Sequence, residues 1–158
     1  MSISINREKI KTYAVSILVP LVLGAIVGVL TTRTMHYENL VKPPLAPPAI
    51  LFPIAWSILY TLMGISHGML KWSRLDSPDT EIIYYAQLIV NLIWPILFFS
   101  LEWRLFAFVW IILLDVLVGI MTVRFYRKDK TAWLLQIPYC VWLLFATYLN
   151  LATYLLNR

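Results

Sequence analysis

Long runs of uncharged or nearly uncharged residues alternate with short charged segments along this chain. Five such runs, at 12–32, 50–70, 82–101, 105–124 and 131–155, each approach the roughly 20 residues that carry an α-helix across about 30 Å of hydrocarbon. A closed β-barrel would show alternating segments of about 10 residues instead. The pattern therefore predicts an all-α integral membrane bundle of five transmembrane helices, a single domain over residues 1–158. Between the first two runs, residues 33–49 hold Pro43, Pro44, Pro47 and Pro48 and read as a long loop, because proline lacks an N–H and clashes with the preceding helical turn. The other connections are short, so this loop alone has room for a function.

Composition agrees with a lipid-solvated chain. Hydrophobic residues make up 61% and charged residues 13%, against roughly 45–50% and 25% in soluble domains. The formal charge of +5 does not point to nucleic acid, since the basic residues stand at the ends of apolar runs and not in a solvated stripe interleaved with aromatics. Counted on alternate sides, nine lysines and arginines (Arg7, Lys9, Lys11, Lys71, Arg74, Arg124, Arg127, Lys128, Lys130) face four (Arg33, Lys42, Arg104, Arg158). The positive-inside rule then puts the N-terminus in the cytoplasm and the long loop and C-terminus outside, in a bacterial cell membrane. MSISINREKIK ahead of the first run has no following small-residue cleavage site, so that run is read as a span and not as a signal peptide. The single Cys140 excludes an internal disulfide. Trp72, Trp103, Trp133 and Tyr126 lie near helix ends and suit an interfacial aromatic belt.

Polar and aromatic residues inside the spans are the candidates for chemistry. Gln87, Asn91, Trp94 and Phe98 recur on one face of the third helix, where Pro95 predicts a kink and a freed Asn91 carbonyl. Pro138, Trp142, Phe145 and Leu149 share a face of the fifth, with Ala146 and Asn150 beside it, and Trp56 precedes Tyr60 by one turn on the second. These groups suit either interhelical glue with ordinary core packing, or a pocket for a planar, mostly apolar ligand. Gly24 with Gly28, and Gly64 with Gly68, have the spacing that lets helices approach closely, within the bundle or in a homodimer. Asp115 is the one acid deep in a span, a structural or proton-relay residue. His36 and His67 show no metal-ligand spacing, and no phosphate loop, catalytic carboxylate pair or Ser/His/Asp order appears. Leu151, Tyr154 and Arg158 fit a loose sterol-contact pattern that apolar helix ends often satisfy by chance.

Four motifs in order, KPPLAPP at 42–48, WSILYTLMG at 56–64, QLIVNLIWPILFF at 87–99 and PYCVWLLFATYLN at 138–150, resemble the tryptophan-rich sensory protein family. This is the TspO/MBR family, which includes translocator proteins or peripheral benzodiazepine receptors. The resemblance implies a five-helix bundle, often dimeric, with a cavity beneath the first loop that accepts porphyrins. By motif, its pocket positions fall on Pro47, Trp56, Asn91, Phe98, Trp142 and Ala146, with Tyr37, Gln87, Trp94, Phe145 and Leu149 as neighbours. It implies porphyrin as ligand, with no metal and no required cofactor. The leading expectation is a tetrapyrrole-binding sensor or receptor. The alternatives are light-dependent porphyrin degradation, with Trp56 and Trp142 as the photochemical residues, and transport of porphyrin, lipid or another apolar metabolite. The chain departs from the family pattern at Leu45, where a tryptophan is usual, at Ala49, where a glycine is usual, and at Leu151, where many members have tyrosine.

Overall fold

A computed structural model describes residues 2–33 and 39–158 of the chain. Six helices follow one another: α1 (Ser2–Thr32), α2 (Leu51–Trp72), α3 (Pro78–Pro95), α4 (Arg104–Lys128), α5 (Lys130–Leu134) and α6 (Ile137–Leu156). Helix α1 starts ten residues before its apolar run, because hydropathy marks where lipid begins and not where helix begins; residues 2–11 contain no breaker. Similarly, α3 starts at Pro78 and not at 82, with proline in its first turn and Asp79 and Glu81 beside it, residue types that suit a helix N-terminus.

Pro95 and Pro138 both stand beside departures from the α-helix. After Pro95 the chain continues as a π-helical turn, Ile96–Ser100, in which the Leu101 N–H bonds the Ile96 carbonyl at 2.9 Å. The fifth predicted helix, 131–155, is in fact two pieces. Asp129 caps α5 by accepting from the N–H groups of Thr131 (2.7 Å) and Ala132 (2.9 Å), and the helix breaks at Leu135–Gln136, just before Pro138. Together α5 and α6 make the fifth span.

Four stretches of the described residues are long and apolar enough to cross a membrane: 5–32, 78–100, 104–128 and 130–156. The remaining helix, α2, has 22 residues but carries Ser57, Thr61, Ser66 and His67. Most of its polar side chains are answered inside the protein: Ser57 and Thr61 donate back to carbonyls one turn earlier, each at 2.8 Å, and Ser66 donates to the Ala132 carbonyl at 2.7 Å. Helix α1 packs on α2 and α3, α3 on α4, α4 on α6, and α2 meets α5 and α6, closing a ring. Val15, Leu18, Val22, Val109, Val116 and Leu144 project from its outside, as a lipid-facing surface requires.

Glycine sets the α1–α2 approach. A methyl group on Gly64 would overlap the backbone of Ser16 and Ile17, one on Gly24 would enter the Tyr60 ring, and one on Gly68 would press on Tyr13, whereas Gly28 faces open space. The expected small-residue faces are thus used mainly within the bundle, and Gly28 alone of the two pairs meets no neighbour among the described residues.

Candidate functional site

Three helices bring their polar and aromatic residues to one seam. Tyr60 of α2 donates its hydroxyl hydrogen to Asn91 Oδ1 (2.6 Å), and Asn91 Nδ2 donates to the Tyr139 hydroxyl of α6 (2.8 Å). That hydroxyl donates in turn to Gln87 Oε1 (2.9 Å), and Gln87 Nε2 reaches Met63 Sδ at 3.4 Å. All five side chains are buried. The amides of α3 therefore act as interhelical glue, for which unpaired polar groups in hydrocarbon would be too costly.

One turn toward the loop end the character changes from polar to aromatic. Trp94 stacks on Phe98 (centroids 5.2 Å, 20°) and donates its Nε1–H to Asn150 Oδ1 at 2.9 Å, while Asn150 Nδ2 holds the Arg104 carbonyl at 3.0 Å. Phe52 stands edge-on between Phe99 (6.4 Å) and Trp142 (6.2 Å). The rings of Phe52, Trp94, Phe98 and Phe99 border a cavity of about 20 Å³, roughly room for one water. Its lining includes the expected Trp94, Phe98, Ala146 and Leu149, together with Phe52, Phe99, Asn150, Thr153 and, from the loop, Pro43.

The two indoles expected to flank a ligand do not line this cavity. Trp56 lies against Tyr60 (5.4 Å) and Tyr139 (6.2 Å), and Trp142 lies behind Phe52 and meets Phe145 at 5.7 Å. Both are half-buried on the α2–α6 seam, with Phe52 and Tyr139 beside them, and neither sits on an outer flank. The Trp142 Nε1–H is buried without an acceptor among the described residues. Phe145 stacks on Tyr148 (6.4 Å, 27°), which donates to the Pro44 carbonyl of the loop at 3.0 Å. Pro47 is buried in the same loop; Tyr37, like His36, lies outside the described residues.

A second hold on the loop comes from Asn157. Its Oδ1 accepts the Val41 N–H (2.9 Å) and its Nδ2 donates to the Val41 carbonyl (3.0 Å). Leu45, at φ 67°, takes a left-handed turn immediately after the Pro44 anchor. Phe52 and Tyr139 escaped the sequence reading although each sits within one turn of a selected tryptophan, Trp56 or Trp142, on the same face. The Asn157–Val41 pairing spans 116 residues and leaves no local signal.

The remaining candidates have structural partners. Asp115 accepts from Thr147 of α6 at 2.9 Å, joining α4 to α6. His67 Nε2 lies 2.6 Å from Glu81 Oε1 under a stacked Tyr84 ring (3.8 Å), with Lys71 on the other Glu81 oxygen at 3.0 Å. Among the described residues no three His, Cys, Asp or Glu side chains gather as metal ligands do.

Comparison with known proteins agrees with this architecture. Residues 16–155 match the TspO/MBR family. The tryptophan-rich protein TspO of Archaeoglobus fulgidus is 38% identical over 146 residues, covering 90% of this chain and 94% of that protein. The translocator protein homolog of Schizosaccharomyces pombe is 37% identical (89% and 88% covered), and the human translocator protein 32% identical (81% and 80% covered). With five helical spans closed into a ring, an aromatic seam beneath the first loop and matches of this length, the chain is an integral membrane protein that belongs to the TspO/MBR family.

Proposed function

We propose that the protein is a membrane receptor for tetrapyrroles, with a porphyrin-like ligand entering the aromatic seam between α2, α3 and α6 under the first loop. The observation that carries this reading is the Trp142 indole N–H, buried without an acceptor among the described residues, beside the Phe52 ring that lines the cavity. Leaving a buried donor unpaired costs about 1–3 kcal/mol, and a bound ring system with acceptor edges would remove that cost. At about 20 Å³ the cavity holds no such ligand, so binding requires Phe52 to swing from between Phe99 and Trp142 and the loop to lift. Asn91 and Gln87 then serve the site indirectly, by fixing Tyr60 and Tyr139 beneath it. Submicromolar to micromolar affinity is expected, about −8 to −9 kcal/mol. A protoporphyrin titration followed by tryptophan quenching tests this: the Trp56→Leu/Trp142→Leu double variant loses the saturable signal, and an unchanged saturable curve would refute the assignment.

A second reading, light-driven porphyrin breakdown, is favoured by the same indole, which meets the rings of Phe52 and Phe145. Loss of the porphyrin absorption band under illumination, faster with wild type than with Trp142→Phe or no protein, supports it. Transport through Asp115 gains no support from its engagement by Thr147. Orientation follows from charge. Lys9 lies over Trp72, Lys71 pairs with Glu81, Arg124 with Asp79, and Lys128 with the Leu75 carbonyl, so the majority of cations gathers at one end. In a bacterial cell membrane that end faces the cytoplasm.

A further inference from the structure

On the outside of the bundle, at the same end as the first loop, the start of α4 and the end of α6 border a groove of about 580 Å³. This lies in the range of ligand clefts, roughly 300–1,000 Å³, and is separate from the closed aromatic cavity. Its apolar side is built from Leu105, Phe106 and Val109 on the first turns of α4, which are 51%, 48% and 59% exposed. Exposed apolar side chains at this depth expect acyl chains as neighbours.

The rim has the opposite chemistry. Arg104 and Arg158 both border the groove, against a single acid, Glu102. Arg104 gives its Nη2 to Glu102, at 3.1 Å, and its Nε is buried with no partner among the described residues. Glu102 sits at φ 55°, a left-handed corner between the π-helical turn and α4, and Asn150 pins the Arg104 carbonyl. The guanidinium is thereby presented from a fixed turn. Trp103, 57% exposed and edge-on to Phe106 at 6.2 Å, stands beside it as an interfacial anchor.

A sterol offers such a rim one neutral hydroxyl, and leaves the second guanidinium, Arg158, without a counter-charge. A zwitterionic phospholipid brings its own ammonium toward two cations. An anionic phospholipid matches both parts, since guanidinium forks bind phosphate oxygens strongly and the chain can lie along the apolar side. We propose that the α4–α6 groove is a binding site for one anionic phospholipid, its phosphate held by Arg104 and Arg158 and an acyl chain laid over Leu105, Phe106 and Val109. This site is independent of the tetrapyrrole pocket.

Trp103 provides the readout. The full chain is reconstituted in phosphatidylcholine bilayers doped with equal small amounts of brominated phosphatidylglycerol or brominated phosphatidylcholine, and the Trp103 signal is taken as the difference from Trp103→Phe. Brominated phosphatidylglycerol is expected to be enriched about fivefold or more at Trp103, and the enrichment falls to bulk level in Arg104→Gln/Arg158→Gln. Arg158→Gln alone changes an exposed position beyond α6, outside the packed interior, and is expected to lose part of the enrichment. Arg33→Gln, which removes a cation outside the groove, leaves it intact. Equal quenching by the two lipids, an unchanged enrichment in the double variant, or an equal loss in Arg33→Gln would overturn the site. So would displacement of the brominated lipid by cholesterol but not by unlabelled phosphatidylglycerol.

Discussion

The Tyr60 hydroxyl donates to Asn91 Oδ1 across 2.6 Å, joining α2 to α3 inside the bundle and below the aromatic cavity. Because Asn91 also donates to Tyr139, removing the Tyr60 hydroxyl leaves a buried acceptor unpaired while the rest of the chain of bonds stays in place. Tyr60→Phe is expected to destabilise the protein by about 1 kcal/mol. Thermal melting in detergent reads this as a lowered Tm. An unchanged Tm would show that the amide is not held by this bond.

The glycines give a contrast within one motif. Gly64→Ala places a methyl on the backbone of Ser16 and Ile17 and is expected to cost about 1–3 kcal/mol. Gly28→Ala meets open space and is expected to stay within about 0.5 kcal/mol of wild type. Matched melting curves of the two variants check the pair, and equal losses would contradict the packing.

Asn157 links the C-terminal end of α6 to Val41 of the loop by two hydrogen bonds, both exposed and therefore cheap to break. In Asn157→Ala the Val41 amide is expected to exchange its hydrogen faster, read by hydrogen–deuterium exchange without any ligand. If the loop also gates the pocket, porphyrin association and dissociation both accelerate in that variant, with Kd changed less than either rate. Unaltered exchange at Val41 would remove Asn157 from any role in holding the loop.

The five apolar runs placed the bundle because lipid burial is written locally, residue by residue. Helix ends were less legible, since residues 2–11 and 78–81 are helical outside the apolar stretches, and hydropathy is blind to helix in water. Spacing brought Gln87, Asn91, Trp94 and Phe98 to one face, and they do share the interior. It did not say that Tyr60 and Tyr139 would consume the amides, or that Phe52 would stand between Trp142 and the cavity. Those facts depend on rotation of one helix against another, which single-helix periodicity does not encode.

Asp115 accepts from Thr147, and an asparagine at that position keeps an oxygen for the same bond. Asp115→Asn is expected to leave stability within about 0.5 kcal/mol and porphyrin flux into proteoliposomes unchanged. A flux that falls with this substitution would revive the acid as a relay.

The most direct measurement of the proposed pocket is a crystal structure of the protein soaked with protoporphyrin. The macrocycle is expected between α2, α3 and α6 under the loop, an acceptor edge within hydrogen-bond reach of Trp142 Nε1, with the Phe52 ring displaced from Phe99. A macrocycle bound on the lipid-facing surface, with Phe52 still between Phe99 and Trp142, would contradict it.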